Sequence, residues 1–259
     1  MTPHSDMETT EHETANCEDC GQSFESAICR SPFDAHRIIV RQRRCEPCIV
    51  AFEVRIATEE QKRKEEAFAL ECEAIWEAVC PKNYRLESEN GMTNLEMLQK
   101  EVKELPQILA HPYSHRGLIL RGGTGTGKTR SMYRLLKSYH VRKPRPRIIA
   151  LSSGEFDRQA RDAQGTFKLT EWFQNIAEAD ILYIDDIGKG KWTPSTASQF
   201  WEIVDDRTRN CRPIFITTNC SGDTLVQSIG LSKDIGEPLL RRLRENCKAI
   251  VLQDKHGNS

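Results

Sequence analysis

Short apolar runs alternate with helical segments throughout the second half of the chain. Five of these runs have the length and the β-branched or aromatic content of strands. They cover residues 117–121, 147–151, 181–185, 213–217 and 248–252. Strands that alternate with helices predict an α/β fold, in which a mostly parallel sheet is covered by helices on both faces. The carboxyl ends of such strands meet at one edge of the sheet, so we expect the functional residues there.

The first half of the chain has a different pattern. Residues 49–79 are rich in Glu, Lys, Arg and Ala, and apolar side chains recur at steps of three and four. These side chains are Phe68, Cys72, Ile75, Trp76 and Val79. The pattern predicts a long amphipathic helix that ends before Pro81, with a spacer at 58–66 that is polar on every side. We expect the Trp76 face to pack on the second domain rather than on a partner, and we expect a further helix over 93–105.

Composition limits the possible classes of protein. The formal net charge is −1, so any binding of nucleic acid has to come from local basic patches. Residues 1–16 are polar and acidic, unlike a secretion signal, and they are predicted to form a disordered tail. No apolar run reaches the roughly 18 residues of a membrane-spanning helix. We therefore expect a cytoplasmic protein without membrane contact, whose 10 cysteines stay reduced or bind metal.

Two Cys-x-x-Cys pairs near the N-terminus are separated by 24 residues. Their members are Cys17, Cys20, Cys45 and Cys48. This spacing is typical of a structural zinc site in which four thiolates complete a tetrahedron, whereas a redox motif does not need a second pair. Unrelated buried thiols are another alternative, and Cys29 or His36 could replace a ligand although neither is needed. A module this small cannot bury a large core, so zinc would supply most of its folding free energy.

A glycine-rich segment follows the first strand of the second domain. It consists of Gly122, Gly123, Thr124, Gly125, Thr126, Gly127, Lys128 and Thr129, and a helical pattern follows it. Glycines let backbone N–H groups turn toward phosphate oxygens, and the helix presents its positive end to the same anion. The segment therefore predicts a phosphate-binding loop for ATP, with Lys128 reaching the β and γ phosphates and Thr129 ligating Mg²⁺.

Polar side chains end two of the later strands. Asp185 and Asp186 end the run at 181–185, and Asn219 follows the run at 213–217. Beside a phosphate-binding loop, Asp185 is expected to hold Mg²⁺, while Asp186 orients the attacking water. Asp186 is shorter than glutamate, so hydrolysis is expected to be slow. Asn219 is placed to bind the γ phosphate or the water; the alternative is that both aspartates cap the following loop.

Residues 236–244 predict a short helix that carries several arginines. From the residues alone, these arginines are either ordinary surface charge or a source of a guanidinium for the nucleotide of a neighbouring subunit. Both possibilities remain open at this point.

Four segments taken together resemble the AAA+ ATPases of the bacterial helicase-loader type, the DnaC/DnaI group related to IstB. The segments are 122–129, 181–188, 216–219 and 236–243, and they occur in the expected order. The resemblance extends over about residues 80–252, and it also includes Pro81-x-x-Tyr84-Arg85 and the segment 203–213. It implies a P-loop core with a five-stranded parallel sheet, and no C-terminal lid domain. A small zinc module ahead of this core is similar to the helicase-binding part of some loaders.

The resemblance also implies roles for individual residues. Lys128 and Thr129 would bind phosphate and magnesium, Asp185 and Asp186 would form the Walker B pair, and Asn219 would be sensor I. Arg242 would be the arginine finger, with Arg241 as the alternative register. Since such a finger acts on a neighbouring subunit, ATP hydrolysis is expected to be weak and to need self-assembly or DNA.

These expectations divide the chain into a disordered tail (1–16), a zinc-binding module (17–52), a helical linker (53–80) and an AAA+ ATPase domain (81–259). The predicted function is ATP-dependent loading of a replicative hexameric helicase onto single-stranded DNA. The basic turn 142–147 and Lys137 are candidate DNA contacts, or simply solvated charges. The alternative functions are an IstB-like transposition helper and a P-loop kinase that acts on a small molecule.

Overall fold

The computed structural model of the protein describes residues 10–31, 34–85 and 117–252. The chain divides into two compact units, an N-terminal unit over Met1–Leu70 and a C-terminal unit over Glu71–Ser259. The helix predicted over 93–105 lies outside the described residues.

The N-terminal unit is built on a small antiparallel sheet. Its strands are β1 (Thr10–Asn16), β2 (Ser23–Ser31) and β3 (Asp34–Arg41), in the order β1-β2-β3. Helix α1 (Glu46–Val79) follows and continues into the C-terminal unit. The buried apolar side chains of the N-terminal unit's described residues are Cys17, Ile28 and Cys45. This core is too small to stabilise the unit without a further interaction.

The expectation that residues 1–16 form a disordered tail is wrong for Thr10–Asn16, which is strand β1. Every residue of β1 faces a residue of β2 in an antiparallel register. Glu11 and Glu13 also form ion pairs with Arg30, at 2.7 and 3.6 Å. Main-chain hydrogen bonds and cross-strand charge pairs order this strand, although it has little apolar surface to bury.

The C-terminal unit contains a five-stranded sheet in which every neighbouring pair is parallel, in the order β5-β6-β7-β4-β8. Its strands are β4 (Gly117–Gly122), β5 (Ile148–Ser152), β6 (Ile181–Ile187), β7 (Ile214–Thr218) and β8 (Cys247–Leu252). The helices after α1 in the part of this unit that the structure describes are α2 (Lys82–Arg85), α3 (Lys128–His140), α4 (Ser153–Gly165), α5 (Leu169–Ala177), α6 (Pro194–Arg209), α7 (Gly222–Ser228) and α8 (Lys233–Asn246). The predicted parallel sheet is confirmed.

The sheet is buried on both faces. Along β6, Ile181 and Tyr183 belong to one apolar cluster, whereas Leu182 and Ile184 belong to another. Successive side chains of a strand point to opposite faces, so the two clusters lie on opposite sides of the sheet. Because both faces are covered, apolar side chains follow one another along a strand such as β6.

The end of helix α1 belongs to the core of the C-terminal unit. Trp76 and Cys80 are buried there, and Trp76 contacts the rings of Tyr133 and His140. The prediction that the Trp76 face packs on the second domain is confirmed. The compact unit accordingly begins at Glu71 and takes in the last part of the segment expected to be linker.

Arg207 on α6 is fully buried, although arginine is rarely found inside proteins. Its guanidinium donates hydrogen bonds to five carbonyl oxygens, those of Ile176, Ala177, Ala179, Asp180 and Pro213. These carbonyls lie at the end of α5 and just before β6 and β7. Arg207 therefore fixes where both strands begin, and so where their carboxyl ends place the polar residues that follow.

Phe167 occupies a position that usually requires glycine. It follows α4, has a φ of 58° and is 97% exposed. Its N–H donates to the carbonyl of Gln164 at 3.4 Å, and the N–H of Lys168 donates to that of Ala163 at 2.9 Å. These two bonds form a Schellman motif, whose left-handed residue is most often glycine.

We expect Phe167→Gly to raise the free energy of unfolding by about 0.5–1 kcal/mol. Left-handed strain of roughly 1–2 kcal/mol is relieved, and the greater freedom of glycine in the unfolded chain offsets part of it. Urea unfolding followed by tryptophan fluorescence measures the change. Phe167→Ala is the control, because it removes the exposed ring but keeps Cβ. A glycine variant no more stable than the alanine variant would contradict the strain.

Candidate functional site

The glycine-rich loop joins β4 to α3 at the carboxyl edge of the sheet. Gly125 and Gly127 have φ of 86° and 81°, a conformation that side chains with Cβ rarely adopt. Thr126 Oγ1 donates to the carbonyl of Gly123 at 3.0 Å, which holds the loop in its turn. The loop thus presents main-chain N–H groups together with the amino end of a 13-residue helix, an arrangement suited to phosphate.

Lys128 lies across this loop. Its Nζ donates to the carbonyl oxygens of Gly122 and Gly123 at 2.9 and 2.7 Å, and only 7% of the residue is exposed. Burial lowers the pKa of Lys128, while the charges of Asp186 and Asp185 act in the opposite direction. An ammonium that is desolvated in this way gains more from phosphate oxygens than from carbonyl dipoles.

Asp185 accepts three hydroxyl hydrogen bonds on a single oxygen. Thr129 Oγ1 donates to Oδ1 at 2.8 Å, and the Tyr183 hydroxyl donates at 2.5 Å. Thr217 Oγ1 donates to the same oxygen. Strand β7 lies between β4 and β6, so Thr217 reaches the carboxylate from the neighbouring strand. The Thr129 hydroxyl and the Asp185 carboxylate are hard oxygen donors side by side, as a magnesium site requires.

Asp186 adopts a left-handed backbone conformation, with a φ of 56°. Its N–H donates to Thr217 Oγ1 at 2.8 Å, and its carboxylate pairs with Lys189 at 3.2 Å. Asp186 and Asn219 both line a cleft of about 490 Å³. The other lining residues are Tyr84, Thr124, Gly125, Gly127, Lys128, Thr129, Arg130 and Lys189. The fold therefore brings the predicted loop residues, Asp185, Asp186 and Asn219 to one edge.

Five residues of this site were not predicted as functional. Thr217 and Tyr183 hold Asp185, and Tyr84, Arg130 and Lys189 line the cleft. Strand periodicity carried a signal for Tyr183, because residues two apart in a strand share a face. Tyr84 and Lys189 had no comparable signal, since their approach to the loop depends on the tertiary fold.

Arg242 is not among the residues that line this cleft. Its Nε donates to Asp205 Oδ1 at 3.1 Å, and its Nη1 lies 3.7 Å from Glu245 Oε2. The side chain is 30% exposed. Arg241 is more exposed and pairs with Glu245 at 3.8 Å. The structure therefore places both candidate fingers on α8, away from the nucleotide cleft of their own chain.

Several of the candidate DNA-binding residues have intramolecular partners. Arg145 pairs with Glu71 at 2.8 Å, and Lys137 pairs with Glu73 at 3.6 Å. Arg147 donates to the side-chain oxygen of Asn175 at 2.7 Å. These contacts join the end of α1 to α3 and to the basic turn, and the end of α5 to the same turn, which favours a structural role for these charges.

The four predicted zinc ligands form one cluster in the N-terminal unit. Their Sγ atoms all lie within 4.8 Å of one another, and those of Cys20 and Cys45 are 3.7 Å apart. Cys17 and Cys20 lie on the turn between β1 and β2, where Gly21 has a φ of 72°. Cys48 lies in the first turn of α1, whose positive end favours thiolates. The donor set and its compactness fit a tetrahedral zinc ion.

The pKa values of the cysteines in this cluster depend on one another. Hydrogen bonding from the main chain at Cys20 lowers the pKa of Cys17 to about 6. The thiols of Cys45, Cys20 and Cys17 raise the pKa of Cys48 well above its usual value. One thiolate therefore forms readily, while its charge opposes the next. A divalent cation relieves this repulsion, which is the electrostatic reason for metal at such a cluster.

No helix in the described part of the chain has the length and apolar content needed to cross a membrane. The parallel sheet, the glycine-rich loop and the paired carboxylates are the arrangement of an ATP-binding protein with a phosphate-binding loop. The model of the family described as IstB-like ATP binding protein matches residues 52–257. The chain belongs to this family, which confirms the resemblance found in the sequence.

Known proteins and solved structures also resemble part of this chain. The chromosomal replication initiator protein DnaA of Roseobacter denitrificans is 28% identical over 144 residues, which are 54% of this chain and 29% of that protein. A crystal structure of the DnaC helicase loader gives a TM-score of 0.51 at 17% identity, covering 68% of this chain and 98% of that one. Replication initiator DnaA bound to AMPPCP and single-stranded DNA gives 0.50 at 18% identity, covering 59% and 45%. The chain thus spans less than a third of the curated relatives it matches.

Proposed function

We propose that the chain is a cytoplasmic, ATP-dependent replication protein that loads a hexameric helicase onto single-stranded DNA. The observation that carries the proposal is the arrangement of the nucleotide site: the cleft gathers Lys128, Asp186 and Asn219, whereas Arg242 lies outside it. A site of this kind is complete only when a second subunit supplies the arginine. ATP can then act as a switch for assembly.

In this proposal the cleft binds ATP with Mg²⁺. Lys128 and the loop N–H groups hold the phosphates, and Thr129 and Asp185 ligate the metal, which neutralises charge on the phosphates. Asp186 orients the attacking water, and Asn219 contacts the γ phosphate or that water. The left-handed backbone of Asp186 and its hydrogen bond from N–H to Thr217 support this role, because they fix the direction of its side chain. Hydrolysis is slow in the isolated chain, which lacks the neighbour's arginine.

The N-terminal unit binds the helicase in this proposal, and zinc at the four cysteines holds the unit folded. Strand β3 supports a binding role, because it exposes three consecutive apolar side chains. Ile38, Ile39 and Val40 are 42%, 57% and 61% exposed. Among the described residues β3 pairs only with β2, so its outer edge is open to a partner. An apolar edge strand of this kind is a typical docking surface.

The related proteins support the same proposal. A solved structure matched over nearly its whole length is that of a helicase loader, and a matched DnaA structure is bound to AMPPCP and single-stranded DNA. Helicase and single-stranded DNA are therefore the proposed partners of this chain.

A loading assay tests the proposal. The hexameric replicative helicase of the same organism is mixed with circular single-stranded DNA, and unwinding of an annealed strand is followed with and without this chain and ATP. We expect unwinding to depend on both. Ile39→Glu should abolish co-purification with the helicase and leave ATP binding unchanged, because it charges the β3 edge. Leu70→Glu, on α1 and 74% exposed, is the control and should still bind.

A second function is favoured by the family to which the chain belongs. Its description as IstB-like agrees with a transposition helper, which would partner a transposase on duplex DNA. Recovery of a transposase instead of the helicase, together with no effect on loading, would replace the first proposal with this one.

A further inference from the structure

Tyr183 has an unusual environment for a residue in the middle of a buried parallel strand. It is fully buried, yet its hydroxyl donates to Asp185 Oδ1 at 2.5 Å. The two residues share one face of β6 because they are two apart in the strand. A residue that only fills a core needs no hydroxyl, and a buried hydroxyl is costly unless it is bonded.

The ring of Tyr183 is held by packing from α3. Tyr133 meets it edge-on, with ring centroids 5.2 Å apart and an interplanar angle of 86°. The Tyr84 ring stacks on the Tyr133 ring, with their centroids 5.4 Å apart. Tyr84 also lines the nucleotide cleft. Trp76 of α1 also contacts the Tyr133 ring. The Tyr183 ring is therefore fixed in position. Its hydroxyl oxygen cannot move away from Asp185 unless the rings of Tyr133 and its neighbours also move.

We propose that Tyr183 is a positioning residue for magnesium, because its hydroxyl fixes the orientation of the Asp185 carboxylate. The inference rests on the proposed binding of ATP with Mg²⁺ in the cleft. Three donors on Oδ1 hold the carboxylate plane, so the second oxygen keeps a fixed direction. Thr129 is itself a proposed metal ligand and Thr217 also holds the N–H of Asp186, whereas the Tyr183 hydroxyl acts through Asp185. Outer partners of this kind set the affinity of a metal site by orienting its ligands.

Tyr183→Phe removes the donor and keeps the ring. In the proposed site Mg²⁺ tightens the binding of ATP. We expect the Mg²⁺ concentration that gives half of this effect to rise about tenfold, because loss of a residue that orients a metal ligand lowers metal affinity by about ten- to a hundredfold. The affinity for a fluorescent ATP analogue in EDTA should stay unchanged, as should the thermal midpoint within a few degrees. The matched control is Tyr139→Phe, because Tyr139 is also a buried tyrosine, lies on α3 and has its ring against Phe215. Its Mg²⁺ dependence should match that of the wild type.

An unchanged Mg²⁺ dependence in Tyr183→Phe would overturn the inference, since a space-filling role predicts that result. If Tyr183→Phe does not fold, Thr217→Val provides the second comparison with the same expected rise, because it removes another donor to Asp185 Oδ1 and changes the side-chain volume little. A wild-type chain that binds ATP without any response to Mg²⁺ would contradict the proposed function itself. The two failures are therefore distinguishable.

Discussion

Removal of zinc is expected to unfold the N-terminal unit and to leave the C-terminal unit folded. The cluster of Cys17, Cys20, Cys45 and Cys48 surrounds one position, and the apolar core beside it is very small. Structural zinc contributes about 10–16 kcal/mol in small domains at neutral pH, far more than such a core provides. The C-terminal unit has its own apolar clusters on both faces of its sheet, and its folding does not depend on this metal.

The distribution of aromatic residues lets each unit be followed separately. All 4 tryptophans of the chain, at positions 76, 172, 192 and 201, belong to the C-terminal unit. Their fluorescence should therefore not change when zinc is chelated. The arginines between the cysteine pairs, such as Arg37 and Arg43, should become sites of rapid tryptic cleavage. Metal analysis should find one zinc ion per chain before chelation.

Cys45→Ser should behave like chelation, because it removes one of the four ligands. Cys211→Ser is the control, since Cys211 is exposed and lies outside the cluster. A chain without zinc whose N-terminal unit resists trypsin as before would contradict the structural role of the metal.

Arg242→Ala is expected to reduce ATP hydrolysis by about a thousandfold or more and to leave ATP binding intact. An arginine supplied to the transferring phosphoryl group contributes about 10³ to 10⁵ in rate, and it does so in the transition state rather than in the ground state. The Arg242 side chain lies outside its own cleft, so its removal should not disturb Lys128 or the loop. Single-turnover hydrolysis in the assembled state, with a separate measurement of nucleotide affinity, provides the comparison.

The ion pair between Arg242 and Asp205 requires its own control, because losing it could destabilise α8 against α6. Asp205→Asn breaks the ion pair and keeps the arginine. We expect Asp205→Asn to hydrolyse ATP at least as fast as the wild type, since Arg242 is then released from an intramolecular partner. Arg241→Ala should have little effect. If Asp205→Asn is as inactive as Arg242→Ala, the arginine has a structural role and the finger assignment is wrong.

The parallel sheet and its catalytic edge could be predicted from local patterns. Each strand is a short apolar run, and β6 could be assigned because its run ends in Asp185 and Asp186. The phosphate-binding loop is specified by residues that are adjacent in sequence, so its geometry was predictable too. The resemblance to a family supplied the order of motifs, which single segments do not specify.

The contacts that the sequence did not reveal join residues far apart in the chain. Thr217 reaches Asp185 only because β7 lies next to β6, a matter of strand order. The pairing of Arg242 with Asp205 depends on how α8 packs on α6. Strand β1 was missed because charge pairs and main-chain hydrogen bonds stabilise it, and neither leaves an apolar pattern.

The central claim is that the nucleotide site is completed by a neighbouring subunit, and mixing two inactive variants tests it directly. Asp186→Ala should lose hydrolysis through its own cleft and keep a working Arg242. Arg242→Ala keeps a complete cleft and lacks the arginine. Alone, each is expected to be inactive while still binding ATP.

When the two variants are mixed under conditions of assembly, an Arg242→Ala cleft can meet the intact arginine of an Asp186→Ala neighbour. We expect the mixture to hydrolyse ATP at a substantial fraction of the wild-type rate. A mixture that is no more active than the sum of its two components would contradict a site shared between subunits.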